Sequence, residues 1–183
     1  MRDIYSNATF PDTPVPGCTI CNIDDSNILL ELPFAQVILP PSPHLSPEDG
    51  GHLYVCPIRH VSERRFLTPT ELLAVDWGTL LAANALEQVF FTDWQNYQEN
   101  GNWALDGQVS PHMHVHVYGR LRGSENQPFG EALMLPRKRD LELFHVRLPT
   151  PKEQRSLKAA LNSNRQTAFG AFREIFEGDA RHP

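Results

Sequence analysis

Ser110-Pro111-His112-Met113-His114-Val115-His116-Val117-Tyr118 sets three of the chain's eight histidines at every second position. A β-strand turns successive side chains to opposite faces, so this spacing puts three imidazoles on one face and Met113, Val115 and Val117 on the other. On a helix, residues two apart do not face each other. Val115, Val117 and Tyr118 also favour strand. The stretch reads as a strand with an apolar face toward a core and an imidazole face toward a site; the alternative is an edge strand with exposed histidines. Ser110 shares the parity of the histidines. Asn100-Gly101 upstream is read as a turn between two strands, and Asp106-Gly107-Gln108 as the lead into the histidine strand.

Further upstream, Thr68-Pro69-Thr70-Glu71 is a helix start: Thr68 caps, proline takes the first helical position and Glu71 closes a capping box. Leu72, Val75, Thr79, Ala83, Leu86 and Phe90 continue it as a stripe at helical spacing, expected to run to Trp94 and to lie on a sheet. Ile28-Leu29-Leu30, Phe34 to Leu39 and His52-Leu53-Tyr54-Val55-Cys56 read as strands, the first two parted by Pro33 and the last stopped by Pro57. Between them Pro40, Pro41, Pro43 and Pro47 make a stiff loop in which His44 is expected to be exposed. Cys56 is expected in the core. His60 follows the third strand as a candidate metal ligand or a surface residue. Cys18-Thr19-Ile20-Cys21 can grip a metal ion from a tight turn, or serve as a redox pair or as plain structural thiols. Downstream, 121–149 is mixed, with Leu141 to Val146 as a possible strand. Thr150-Pro151-Lys152-Glu153 repeats the capping signature and starts a last helix, which Arg165 to Phe176 continues or repeats, before a frayed end at Glu177 to Pro183.

With 183 residues, 40% apolar and 21% charged, the chain suits one domain with a sizeable core. A formal charge of −6 argues against broad electrostatic binding of nucleic acid or an anionic membrane, though not against a small anion met by local positive groups. No apolar run is long enough to span a bilayer, and the N-terminus lacks an apolar signal core, so a cytoplasmic protein is expected. Three cysteines, two of them close together, fit metal binding better than a disulfide framework.

Gly51-His52-Leu53-Tyr54-Val55-Cys56-Pro57, then Arg59-His60-Val61, a helix, Asn100-Gly101, Gly107-Gln108 and His112-Met113-His114-Val115-His116-Val117-Tyr118 together resemble the histidine triad (HIT) family over Cys18 to Arg120. The resemblance implies an α+β fold, an antiparallel β-sheet packed with a long helix and a C-terminal helix. It divides the chain into an extended arm at 1–17, a HIT-like domain at 18–148 and a helical extension at 149–183. It implies a homodimer, and a nucleotide substrate undergoing phosphate hydrolysis or nucleotidyl transfer. In such a reaction a neutral imidazole attacks the α-phosphorus and forms a covalent nucleotidyl-histidine, while donors meet the charge that develops.

By resemblance His114 is the nucleophile, His116 lies at the phosphate and leaving group, and Asn100, Gly107, Gln108 and Ser110 line the phosphate side. Zinc-bearing members of the family carry a Cys-x-x-Cys pair completed by two histidines, here Cys18, Cys21, His60 and His112. Such a closed site is structural, and no organic cofactor is expected. The chain departs from the family pattern at Ile38, where an acidic residue or asparagine often holds the ribose, and at Val109-Ser110, which reverses the usual order. Two other classes stand beside this reading: a metalloenzyme whose three triad histidines share one catalytic ion, and a zinc-stabilised nucleotide-binding or interaction protein with little catalysis.

Overall fold

The computed structural model describes residues 14–101, 110–135 and 146–167. Five strands, β1 (Ile28–Leu32), β2 (Ala35–Ile38), β3 (His52–Pro57), β4 (Trp94–Gln98) and β5 (Val115–Arg120), form one sheet in the order β1-β2-β3-β5-β4. Every neighbouring pair is antiparallel. Helices α1 (Pro69–Phe90) and α2 (Pro151–Thr167) complete the α+β architecture. Among the described residues no helix is long and apolar enough to cross a membrane.

Period-two patterning decides the two sides of the sheet. On β3, Leu53 and Val55 face α1 with Val37, Val115 and Val117, forming the main core with Val75, Leu81, Ala82 and Leu86 of the helix. His52, Tyr54 and Cys56 alternate with them and face the other way. There Tyr54, Cys56 and Ile38 are covered by Cys18 and Ile20 of the N-terminal segment. Cys56 is wholly buried, as expected.

Helix α1 starts as its sequence foretells. The Thr68 side chain accepts from the Glu71 amide and the Glu71 carboxylate accepts from the Thr68 amide. The same carboxylate takes a two-pronged bond from Arg59, with both contacts 2.7 Å. The helix ends earlier than expected, at Phe90 rather than Trp94, because Phe91 adopts a left-handed conformation (φ 57°) and turns the chain into β4. The expected stripe is also too narrow. Leu72 and Thr79 are only half-buried, while Ala74, Trp77, Gly78 and Ala85 are buried. The helix packs against both the sheet and α2, so two of its sides are covered. Gly78 sits where a Cβ would lie 2.8 Å from Val55 and 3.3 Å from Leu32, so its lack of a side chain sets how closely α1 approaches the sheet.

The histidine strand is shorter than its sequence suggested: the ladder begins at Val115, not Ser110. The preceding residues are tied to a loop instead, the Met113 amide donating to the Val61 carbonyl at 2.6 Å. Helix α2 carries the expected capping pair, Thr150 and Glu153 bonding each other's amides. Expectations for Gly107, Gln108, most of the Leu141–Val146 stretch and everything beyond Thr167 lie outside the described residues.

Candidate active site

The sheet face opposite α1 brings two histidine clusters together, one at each end of the triad. At the first, Cys18 and Cys21 stand on a tight turn, His60 follows β3, and His112 lies in the lead-in to β5. Their ligand atoms all fall within 4.8 Å of one another. The His112 Nδ1 is 3.5 Å from Cys18 Sγ and 3.4 Å from Cys21 Sγ, and His60 Nδ1 is 3.3 Å from Cys21 Sγ. An ion holding sulfur at ~2.3 Å and nitrogen at ~2.0–2.1 Å in a tetrahedron needs S···N edges of about 3.6 Å, so the four donors are spaced to accept one. The His112 Nε2 faces the Pro57 carbonyl at 3.1 Å, which fixes the proton there and leaves Nδ1 bare toward the thiols. Burial pushes the Cys18 thiol up to about 11 and the His112 imidazole down to about 4. A bound cation would take the place of the thiol protons.

This placement separates His112 from its neighbours. With one nitrogen on Pro57 and the other at the thiols, His112 has none left for an ion shared with His114 and His116. The three-histidine metal cage considered from sequence is therefore not formed.

The second cluster is a chain of hydrogen bonds whose protons can be assigned from its two ends. The His44 main-chain amide donates to His52 Nδ1 at 3.1 Å. That nitrogen is therefore bare, and the His52 proton is on Nε2, 2.8 Å from His116 Nδ1. His116 in turn carries its proton on Nε2, 3.1 Å from His114 Nε2. At the far end His114 Nδ1 lies 2.8 Å from the His112 carbonyl, which can only accept. Both ends give the same answer: neutral rings, with a bare Nε2 on His114 facing an N–H on His116. Burial favours the neutral state, lowering His114, holding His52 well below its ordinary value and bringing His116 down to about 3.

His44, expected at the surface, is half-buried instead. Its Nδ1 shares a hydrogen bond of 2.7 Å with the Tyr118 hydroxyl, and its ring stacks on His52 at 4.8 Å. The proline-rich loop can come this close because Gly50 and Gly119 meet backbone to backbone. A Cβ on Gly119 would lie 2.1 Å from the Gly50 carbonyl oxygen.

Sequence reasoning quoted Gly51-His52 without giving His52 a role. The signal available was its parity on β3 with Tyr54, which pairs with His116 across the sheet. Of the other expected site residues, Asn100 follows β4 and bonds Gln98 at 3.2 Å, and Ser110 lies half-buried before Pro111. Gly107 and Gln108 lie outside the described residues. Beside His114 opens a cleft of about 290 Å³ with Ser62, Arg64, Arg65 and Glu99 on its walls. A second cleft, of about 720 Å³, runs between the N-terminal turn, Pro41 and Tyr54, with Asn22, Asp24 and Asn27 at its rim. Ile38 is wholly buried under the N-terminal segment and offers nothing to a ligand.

No family model matches the chain. It is 34% identical over 83 residues to AP-4-A phosphorylase of Mycobacterium tuberculosis; the match covers 45% of this chain and 43% of that protein, less than half the relative's length. Among solved structures, it resembles a zinc-bound histidine triad family protein from Mycobacterium smegmatis with a TM-score of 0.56 and 21% identity, over 81% of this chain and 96% of that one. It also resembles a Plasmodium falciparum diadenosine triphosphate hydrolase, with a TM-score of 0.52 and 11% identity over 79% of this chain and 80% of that one. The fold of the chain is that of histidine triad proteins.

Proposed function

We propose, from the histidine triad fold, that this chain is a nucleotide phosphate hydrolase or nucleotidyl transferase of the dinucleoside polyphosphate or nucleoside phosphoramidate class, acting through a covalent nucleotidyl-histidine. The observation that carries the reading is the bare Nε2 of His114 facing the N–H of His116. The His114 lone pair attacks the α-phosphorus, the bond to the leaving group breaks with its electron pair staying on the departing atom, and the His116 Nε2–H meets the charge that develops there as a hydrogen-bond donor. The His114 ring becomes cationic as it bonds phosphorus. Its Nδ1–H is already aimed at the His112 carbonyl, which stabilises that charge. Water then attacks phosphorus, its proton passes to a phosphate oxygen and on to solvent, and the P–N electron pair goes back to His114.

The phosphate arm of the substrate fits the cleft holding Arg64 and Arg65, and Asn100, Gly107, Gln108 and Ser110 complete the phosphate side. Cys18, Cys21, His60 and His112 would hold a structural zinc ion, whose chemistry is to fix the N-terminal segment and the His112 carbonyl in place. The substrate partner is a nucleotide, and the assembly a homodimer formed through α1 and the neighbouring strand β4.

The relatives support this reading: one is a phosphorylase and one a hydrolase of diadenosine polyphosphates by name. The test is a rapid quench of protein mixed with diadenosine tri- and tetraphosphate and adenosine phosphoramidate, followed by peptide mass spectrometry. An acid-labile adenylyl adduct on His114, lost in His114→Ala with fold and metal content kept, is the expected result. An adduct elsewhere, or unchanged turnover in that variant, overturns the mechanism.

A further inference from the structure

We propose that His44, on the proline-rich loop, is a positioning residue of this reaction: it holds His52, and through it His116, in the one tautomer that presents an N–H at the phosphate site. The inference rests on the proposed function for its consequence in turnover, but its geometry stands apart from that reading.

Two contacts carry it. The His44 main-chain N–H ends the imidazole chain at His52 Nδ1, and that donor cannot change places with an acceptor. Its imidazole bonds the Tyr118 hydroxyl and lies over His52, so the side chain keeps the amide where it must be. Without that anchor His52 could carry its proton on Nδ1. Its Nε2 would then accept from His116 Nδ1–H, leaving His116 Nε2 bare and facing the bare Nε2 of His114. Attack would still be possible, but no N–H would meet the charge developing on the leaving atom.

The same anchor makes the chain a clamp and not a proton wire. For a proton to run from His52 Nε2 to His116 Nδ1, His52 would have to take another at Nδ1. The group there is a main-chain amide, which does not release its proton. His116 thus keeps its Nε2–H through both steps and acts on the leaving atom, and then on the attacking water, as a fixed hydrogen-bond donor.

Among the described residues, the groups facing His116 are His52 and Tyr54 from β3, His114 and Tyr118 from β5 and His44 from the loop. None is a carboxylate that could hold His116 charged in place of the clamp.

The test uses full-length protein labelled with ¹⁵N-histidine, and reads tautomers from two-bond ¹H–¹⁵N correlations beside steady-state kinetics on diadenosine tetraphosphate. The wild type should show His52 and His116 as pure Nε2–H forms. His44→Ala and Tyr118→Phe should each mix the His116 tautomers and lower kcat by about 2- to 10-fold, the scale of one neutral hydrogen bond, with little change in KM. The double variant should be no worse than either single one, and His44→Gln, which keeps a partner for the phenol, should restore most of the loss. Pure Nε2–H tautomers in a folded His44→Ala, or mixed His52 and His116 tautomers in the wild type, would overturn the proposal. If no substrate is turned over at all, the proposed function fails, and the tautomer readout alone still decides whether His44 holds the clamp.

Discussion

Acid should destabilise this protein through its buried imidazoles, and His116 gives the amount. Its ordinary value is 6.5 and burial brings it down to about 3 in the fold. A histidine depressed by folding contributes stability that is fully present above 6.5. That stability is lost as pH falls, because the unfolded chain takes up the proton and the fold does not. Between pH 7 and pH 5 the window stays two units above the folded value, so only the unfolded chain titrates. Integrating over it gives a loss of about 2 kcal/mol from His116 alone. His52 is shifted in the same direction by burial and adds to the loss. Glu71 and Glu153 are held below the usual carboxylate range by their arginine partners and hydrogen bonds, Glu153 to about 2, so they stay out of the window. Release of the proposed metal in acid would add its own slope, and a difference experiment cancels it. Urea unfolding at pH 7, 6 and 5 should show wild type losing about 2 kcal/mol more than His116→Asn over the range. Equal losses in the two proteins would refute the claim that His116 is buried neutral.

Elemental analysis of protein purified without added metal should find about one zinc per chain, and Cys18→Ser with Cys21→Ser should remove the metal and lower Tm. Gly78→Ala should destabilise by ~1–3 kcal/mol in urea titration, because overpacking against Val55 and Leu32 outweighs the ~1 kcal/mol gain in helix propensity; a more stable variant would show that α1 can move off the sheet. Light scattering at micromolar concentration should give a dimer, and Tyr97→Asp on β4 should yield monomers, since Tyr97 (48% exposed) lines one cleft with Leu80 of α1.

The part of the fold written in short-range pattern was legible. Period-two alternation on 112–118 and 52–56, and the capping boxes at Thr68 and Thr150, point to the observed elements because each rests on chemistry within a few residues. The Cys18, Cys21, His60 and His112 set was legible only through resemblance, since nothing local joins residues so far apart. Strand β4 was only implied, by the turn read at Asn100-Gly101, and its bounds were not legible: Trp-Gln-Asn-Tyr-Gln at a sheet edge has no buried face to impose alternation and is exposed or half-buried throughout. The end of α1 was misread because a left-handed phenylalanine stops it, where a glycine would have been the usual sign. His44 was missed because its burial depends on Gly50 and Gly119 meeting across the sheet, a contact between residues with no side chains to form a pattern.

Cys18 and His112 are 94 residues apart, yet their donor atoms meet. During synthesis the two thiols leave the ribosome first and wait about 5–20 s for the histidine that closes their site. Through that interval they are reduced, exposed and open to oxidants or to the wrong ion. The four donors are thus complete only once His112 has followed them out, and an ion that they would hold would fix the carbonyl facing His114 at that same moment. Metal supply during synthesis would then bear on the proposed site before any substrate is met.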